Sequence, residues 1–401
     1  MIDRRHFLRL STGAALGLSV SEALAREASA SPGSRIARYV RLGRTDLKVS
    51  DISFGSASSA DPALVTHAFE RGVNYFDTAE SYKWGNAEEA IGEALRGKRL
   101  EVVLSTKTKA GSSDTSAEMM KALEGSLRRL KTDHVDIYFN HAVNDVERMR
   151  NPQWREFTEL AKRQGKIRFR GMSGHGSHLA ECLDYAIDND LVDVILVAHS
   201  FGQDPSFYDK LRHTFHWAAI QPDLPRVLAK AKQKDIGVVA MKTLMGGRLN
   251  DMRPYERPGG TFAQAAFRWV LSNPNVDALI ISMTSTELID EYVAASGERK
   301  VSDGDLDLLE RYVALQSGKY CHPGCNACEQ SCPMRVPIAE VLRTRMYDVD
   351  YGDPLLARAE YAALGESAAA CLTCAHRSCL GACPQAIPIA ELTRDAARRL
   401  G

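Results

Sequence analysis

The chain has 401 residues, enough for one large domain and a small appendage. Its 51 basic and 51 acidic side chains cancel, which argues against a nucleic-acid-binding protein and against a disordered acidic tail. An apolar fraction of 44% supplies a full core, while no apolar run approaches the ~18 residues of a membrane-spanning helix.

Residues 1–25, "MIDRRHFLRLSTGAALGLSVSEALA", stand apart from the fold. Arg4 and Arg5 precede Phe7 and Leu8. A short, moderately apolar stretch follows, and Ala23-Leu24-Ala25 offers a small-residue cleavage site. The segment resembles a twin-arginine export signal, read by a translocase that moves folded proteins. The expectation is a periplasmic or otherwise exported protein; the alternative is a cytoplasmic one.

From Arg41 to about Ser296, eight Val/Ile-rich runs alternate with helical segments. The runs are "DISFGSA", "YFDTA", "VVLSTKT", "VDIYFNH", "IRFRGMSG", "VDVILVAHS", "IGVVAMKT" and "DALIISM". They lack strict alternation, as strands of a parallel sheet buried on both faces do. Segments such as "SAEMMKALEGSLRRLK" and "SHLAECLDYAIDN" place apolar residues three and four apart, giving one buried stripe per helix. Cys182 falls on such a stripe and reads as a small apolar residue. Eight alternations predict a (β/α)8 TIM barrel. The rival doubly wound sheet usually carries a glycine-rich turn after its first strand, which "SFGSASSAD" matches poorly. The helix "DGDLDLLERYVALQ" ends the barrel region, 38–317, and "SGKY" links it to a small unit, 319–401.

In barrels of this kind chemistry gathers at the C-terminal strand ends. Asp77 and Tyr82 in "NYFDTAESY", Lys107 in "VVLSTKT" and His141 in "IYFNH" fall at or just beyond the ends of strands two, three and four. Together they suit carbonyl reduction. Negative charge growing on the carbonyl oxygen needs a proton donor, and a tyrosine can donate if its ordinary pKa near 10 is lowered. A lysine cation beside it favours the phenolate. An aspartate holds that lysine charged, and a histidine N–H steadies the oxygen. Taken singly, Asp77 could cap a loop and His141 could be a core histidine.

These stretches, with "RLGRTDLKVSDISFGSA", "GKIRFRGMSGH" and "FRWVLSNPNVDALIISM", resemble the motifs of the aldo-keto reductases in that family's order, over about residues 38–297. The resemblance implies Asp77, Tyr82, Lys107 and His141 as the catalytic four, a small carbonyl or alcohol substrate, and NADP(H) or NAD(H) extended across the barrel mouth. It implies cofactor contacts at Ser173, Gly174, Leu244, Gly246, Gly247, Ser282 and Glu291. There the sequence departs from the family. Gly174 replaces an asparagine, Leu196 a glutamine, and His199 the aromatic residue that stacks on the nicotinamide. Thr284 stands where a basic residue often meets the 2′-phosphate, and Leu288 and Tyr292 replace polar adenine contacts.

The remaining eight of the nine cysteines form two runs: Cys321-x₃-Cys325-x₂-Cys328-x₃-Cys332-Pro333 and Cys371-x₂-Cys374-x₄-Cys379-x₃-Cys383-Pro384. Tight spacing ending in Cys-Pro resembles bacterial ferredoxins, in which thiolates hold [4Fe–4S] clusters and the fourth cysteine of each run serves the other cluster. That resemblance implies two [4Fe–4S] clusters, one on Cys321, Cys325, Cys328 and Cys383, the other on Cys371, Cys374, Cys379 and Cys332. Zinc and disulfides remain the rival uses. "VPIAEVLRTRMYD" and "IPIAELTRDAARRL" read as helices, so the unit is expected to be a small α-helical ferredoxin-like domain. The functional expectation is an exported iron–sulfur oxidoreductase of the aldo-keto reductase type that passes electrons to or from a redox partner. The alternative is a non-catalytic electron-transfer or docking protein with a degenerate barrel.

Overall fold

The computed structural model describes residues 34–401, apart from 205, 208–222, 246–250, 258–259, 317–319 and 322–324. The expected export segment lies outside the described residues.

Eight parallel strands close into a barrel: β3 (Ile52–Gly55), β4 (Tyr75–Asp77), β5 (Val103–Thr108), β6 (Val135–Asn140), β7 (Ile167–Gly174), β8 (Val194–Ala198), β9 (Gly237–Met241) and β10 (Ala278–Ser282), with β10 pairing back onto β3. These are the eight runs read from the sequence. Each strand is sandwiched between a packed lumen and an outer ring of helices, so both faces are apolar. The lumen holds Tyr75, Ile137, Phe139, Leu196 and Val239.

A hairpin of β1 (Tyr39–Arg41) and β2 (Lys48–Ser50) adds Leu42, Leu47 and Val49 to that inner core. It stoppers the N-terminal end, where Arg41 pairs with Asp235 at 2.8 Å ahead of β9. Gly43 makes this possible. It has φ +51°, and a Cβ there would lie 2.1 Å from the Gly237 nitrogen.

Local chemistry starts the helices. Thr115 with Glu118, and Thr261 with Gln264, form reciprocal capping boxes before Ser116–Leu130 and Phe262–Ser272. Asp61 and Asn151 each cap a helix that opens on proline, Pro62–Glu70 and Pro152–Arg163. Cys182 lies fully buried on Leu179–Asp188, and burial lifts its thiol to a pKa of about 12, as an inert core residue requires.

The C-terminal residues form a helical module with a core of its own. Its principal helices are Ile338–Val349, Pro354–Ala362 and Ile389–Leu400, packed through Ile338, Val341, Tyr361, Ile389 and Leu400. The sequence did not reveal where this module sits. It lies across the C-terminal face of the barrel. Asp353 reaches Lys83 beyond β4 at 3.8 Å, and Glu360 reaches Lys109 beyond β5 at 2.5 Å. Asn326 donates to the Ser177 carbonyl beyond β7 at 3.2 Å, and Lys242 beyond β9 donates to Tyr347 at 3.4 Å. The module therefore roofs the barrel mouth from four sides.

Candidate functional site

The parallel register aligns the ends of β4, β5 and β6, pairing Asp77 with Ser105 and Lys107 with Phe139. Lys107 and Asp77, each about 1% exposed, meet through an Nζ–Oδ2 contact of 2.5 Å. Lys107 also donates to the Thr78 carbonyl at 2.6 Å. The other Asp77 oxygen accepts from the Ser105 hydroxyl at 2.6 Å, so the carboxylate is held at both ends. Burial pushes Asp77 up and Lys107 down, each toward its neutral form, and their mutual contact opposes both shifts.

Tyr82 stands over this pair, with Lys107 Nζ 4.8 Å from its ring centroid. The His141 ring meets it edge-on, with centroids 5.5 Å apart. The next two residues, Lys83 and Trp84, both adopt left-handed backbone conformations at φ +49° and +56°. Each costs about 1–2 kcal/mol in a non-glycine residue. Such strain persists only where the surroundings impose it, and here it turns the chain sharply after the phenol. One expectation is corrected. The Tyr82 pKa is not lowered overall: burial, followed by the fields of Asp77, Tyr347 and Glu360, raises it well above the ordinary value and outweighs Lys107. Asp77, paired with the lysine, offsets its charge.

His141 is held from outside. Arg148 donates to the carbonyls of Ala110 at 2.7 Å, His141 at 2.9 Å and Ala142 at 3.0 Å. Burial, with the cations Lys107, Lys109, Arg148 and Lys242, pushes the His141 pKa well down, so the ring is a neutral imidazole. Among the described residues its buried Nδ1 has no hydrogen-bond partner.

The positions expected to hold a nicotinamide fit it incompletely. The Ser173 hydroxyl accepts from the Ala142 N–H at 3.1 Å and faces the Asn140 carbonyl at 3.4 Å, which ties it to the His141 turn. Gly174 is required by packing: a Cβ would lie 2.5 Å from Leu179 and 2.9 Å from the Val143 carbonyl, so an asparagine has no room. Leu196 is buried in the lumen, and His199 is buried against Trp269, with centroids 5.5 Å apart. Leu244 packs on the outer core, and Ser282 is half-buried at the end of β10. The Glu291 carboxylate accepts from Thr261 at 2.5 Å, and Tyr292 is buried edge-on to Phe267. Gly246 and Gly247 lie outside the described residues.

Among the described residues, no three His, Cys, Asp or Glu side chains converge closely enough to hold a single metal ion. Such an ion needs every sulfur about 2.3 Å from one point. The cysteines are arranged otherwise. Cys321, Cys325, Cys328 and Cys383 line a small apolar cavity of about 20 Å³, walled by Leu342 and Ile387. Burial raises the Cys321 and Cys328 thiols, Cys328 to about 12, and the neighbouring thiols of the same set raise them further. Cys371 and Cys379 likewise feel Cys332 and Cys374. Arg394 donates to the carbonyls of Cys371 and Cys374, each at 3.1 Å, and so pins that loop. Among the described residues no two cysteines are joined in a disulfide.

The class is defined by the closed parallel barrel with polar groups at its C-terminal strand ends. The aldo/keto reductase family profile matches residues 54–260, about half of the chain, and the protein belongs to that family. It is an oxidoreductase of the aldo-keto reductase type. L-galactose dehydrogenase of Arabidopsis thaliana is 25% identical over 312 residues, which cover 68% of this chain and 92% of that protein. The uncharacterized oxidoreductase YqkF of Bacillus subtilis is 24% identical over 300 residues, covering 69% and 96%. An aldo-keto reductase of Bacillus halodurans in its holo form shares the fold, with a TM-score of 0.54 at 20% identity over 68% of this chain and 95% of that one.

Sequence reasoning missed several residues that shape the site. Ser105 could have been found, since it lies two positions before Lys107 on the same face of β5. Arg148 and the module's Tyr347, Arg343 and Glu360 carry no local signal, because only tertiary packing brings them to the mouth.

Proposed function

We propose that the protein interconverts a small carbonyl compound and its alcohol at the barrel mouth, and that the C-terminal unit holds two [4Fe–4S] clusters. The single observation that carries the barrel chemistry is the buried Asp77–Lys107 pair beneath Tyr82, with His141 against its ring. Tyr82 delivers the proton to the carbonyl oxygen in reduction and recovers it in oxidation. Its raised pKa keeps the proton on the phenol until charge develops on the substrate. Lys107, anchored by Asp77, then stabilises the phenolate left behind. The neutral His141 donates a hydrogen bond to the same oxygen. Arg148 and Ser173 fix the turn that presents it. Family membership supports NADP(H) or NAD(H) as the hydride carrier. The poor fit of Gly174, Leu196 and His199 to the carboxamide counts against a tight grip on it.

Supporting the cluster reading are two sets of mutually close thiols and the crossed membership that the two-cluster ferredoxin rule requires, the first set lining a small apolar cavity. The Cys321 and Cys328 thiols, whose pKa burial and the neighbouring thiols raise, become thiolates together only beside positive charge, which an iron–sulfur core brings. When bound, such clusters transfer single electrons, and a redox partner protein is the natural source or sink. We assign residues 1–25 to a twin-arginine signal, 38–317 to the barrel and 319–401 to the cluster domain. Export through that signal is compatible with clusters acquired before translocation.

Anaerobic isolation tests the whole reading. Visible and EPR spectra, with iron, sulfide and zinc counts, report the clusters; nucleotide content and carbonyl turnover beside Tyr82→Phe report the barrel. Unchanged turnover in that variant removes the mechanism, and a colourless, iron-free protein removes the clusters. Fractionation after Arg4/Arg5→Lys tests export, which unaltered export would contradict.

A further inference from the structure

The two cysteine sets face different surroundings. The first lies against the barrel: Asn326, between Cys325 and Cys328, donates to the Ser177 carbonyl beyond β7, and Cys328 is buried. The second lies at the module's outer surface. Thr373, Ala375, His376, Arg377 and Ser378, which separate its cysteines, are all exposed. Leu372 and Leu380, each next to a cysteine of that set, are 43% and 39% exposed, and Met334, two residues past Cys332, is 48% exposed. A single exposed apolar side chain is ordinary. Here three of the ten large exposed ones among the described residues border one set of four thiols. The loops that carry them are tied together. The Ser378 hydroxyl donates to the Ser331 carbonyl at 2.6 Å, and Arg394 holds the carbonyls of Cys371 and Cys374. Charge gives this face a sign. Residues 331–335 and 371–385 include Arg335, His376 and Arg377 and no acidic residue. Arg343, Arg345 and Arg399 of the same module are paired with carboxylates. Among the described residues the exposed Arg335 and Arg377 have no such partner.

We propose that this basic, apolar-edged face around the second cysteine set is the docking surface for an acidic one-electron carrier protein, and that electrons enter or leave the module there rather than at the first set. The proposal rests on the reading that Cys332, Cys371, Cys374 and Cys379 hold a cluster. The step is a single electron passing between carrier and cluster: one is oxidised as the other is reduced, no bond forms or breaks, and no proton moves. The exposed loop lets a carrier approach the second set closely, whereas the first set has the barrel beside it. Unpaired arginines beside exposed leucine and methionine match the make-up of an interface, in which an apolar centre is ringed by charge that selects the partner's sign. A lipid surface would satisfy that charge and accept no electron.

The test uses full-length, anaerobically prepared protein and two carriers of opposite charge, an acidic plant-type [2Fe–2S] ferredoxin and a basic cytochrome c. Calorimetric titration at low ionic strength should show the ferredoxin binding and the cytochrome not. Arg335→Glu/Arg377→Glu should weaken ferredoxin binding about 10-fold, and the deficit should shrink as salt screens the contact. Leu372→Ser/Leu380→Ser should weaken binding without changing its salt dependence. Arg358→Glu, a charge reversal on the exposed side of Pro354–Ala362, should bind as wild type does. Stopped-flow mixing with reduced ferredoxin should rank the variants in the same order by rate of electron transfer, while iron content and EPR spectra stay at wild-type values in each. Equal binding of both carriers, no binding of the ferredoxin, or wild-type affinity in Arg335→Glu/Arg377→Glu overturns the assignment. So does a loss, in that variant, of self-association or of binding to phosphatidylglycerol vesicles with ferredoxin binding intact, which gives the face to a second copy or to lipid. An iron-free protein removes the cluster reading and with it the electron transfer; an iron-loaded protein that fails the binding tests removes the docking surface alone.

Discussion

Replacing Asp77 by asparagine should expose how the buried pair is held. The substitution keeps shape and removes one charge. Lys107 would then be an ammonium about 1% exposed, with the Thr78 carbonyl as its remaining described acceptor. Breaking one side of a buried pair costs about 3–5 kcal/mol. That is a large part of the ~5–15 kcal/mol that keeps most domains folded. The sign of the pH dependence follows from Lys107. Burial already lowers its pKa, and Asp77 is the chief group opposing that shift. Without the carboxylate, the folded pKa falls further below the unfolded value of about 10.4. Between those two values the unfolded chain binds more protons, so the variant's stability should rise with pH from neutral toward ~10, more steeply than that of wild type. Denaturant unfolding at several pH values measures this. The double variant Asp77→Asn/Lys107→Met removes both charges and should return to within about 1–2 kcal/mol of wild type, since apolar replacement of a buried pair is often neutral. A single variant within ~1 kcal/mol of wild type, or a double variant no better than the single, would refute the account.

Tyr82→Phe should lower carbonyl turnover by about 10²- to 10⁴-fold and leave the melting temperature near that of wild type, as steady-state assays and calorimetry would show. Gly174→Asn, which restores the family's residue, should destabilise the barrel by about 1–3 kcal/mol through collision with Leu179 and the Val143 carbonyl; unfolding midpoints check this. Cys328→Ser and Cys371→Ser should each cost about half of the bound iron in a metal count, because each belongs to a different four-thiol set, whereas Cys182→Ser should cost none. Thr115→Ala, which removes a capping box from Ser116–Leu130, should cost about 1 kcal/mol in denaturant unfolding.

The alternation of Val/Ile runs with amphipathic segments was enough to read all eight barrel strands, because strands buried on both faces must be apolar throughout. Asp77, Lys107 and His141 were legible for a related reason: a polar residue ending an apolar run has few places to go except the mouth. The hairpin at the barrel's base was less visible. Its three-residue strands carry little periodicity, and its role depends on Gly43 lying against Gly237. The direction of the Tyr82 titration is not legible in the sequence, because burial and the fields of Asp77, Tyr347 and Glu360, which outweigh Lys107, come from tertiary packing.

The sequence by itself determined the architecture, the four mouth residues and the two cysteine runs, since these depend on local periodicity and on spacing along the chain. Tertiary structure decided that Gly174 and His199 serve packing, and that a module some 200 residues downstream of Lys107 lays Tyr347, Arg343 and Glu360 across the barrel mouth. Those facts depend on how separate cores dock, and docking is written in surface complementarity between distant segments, which no local pattern records.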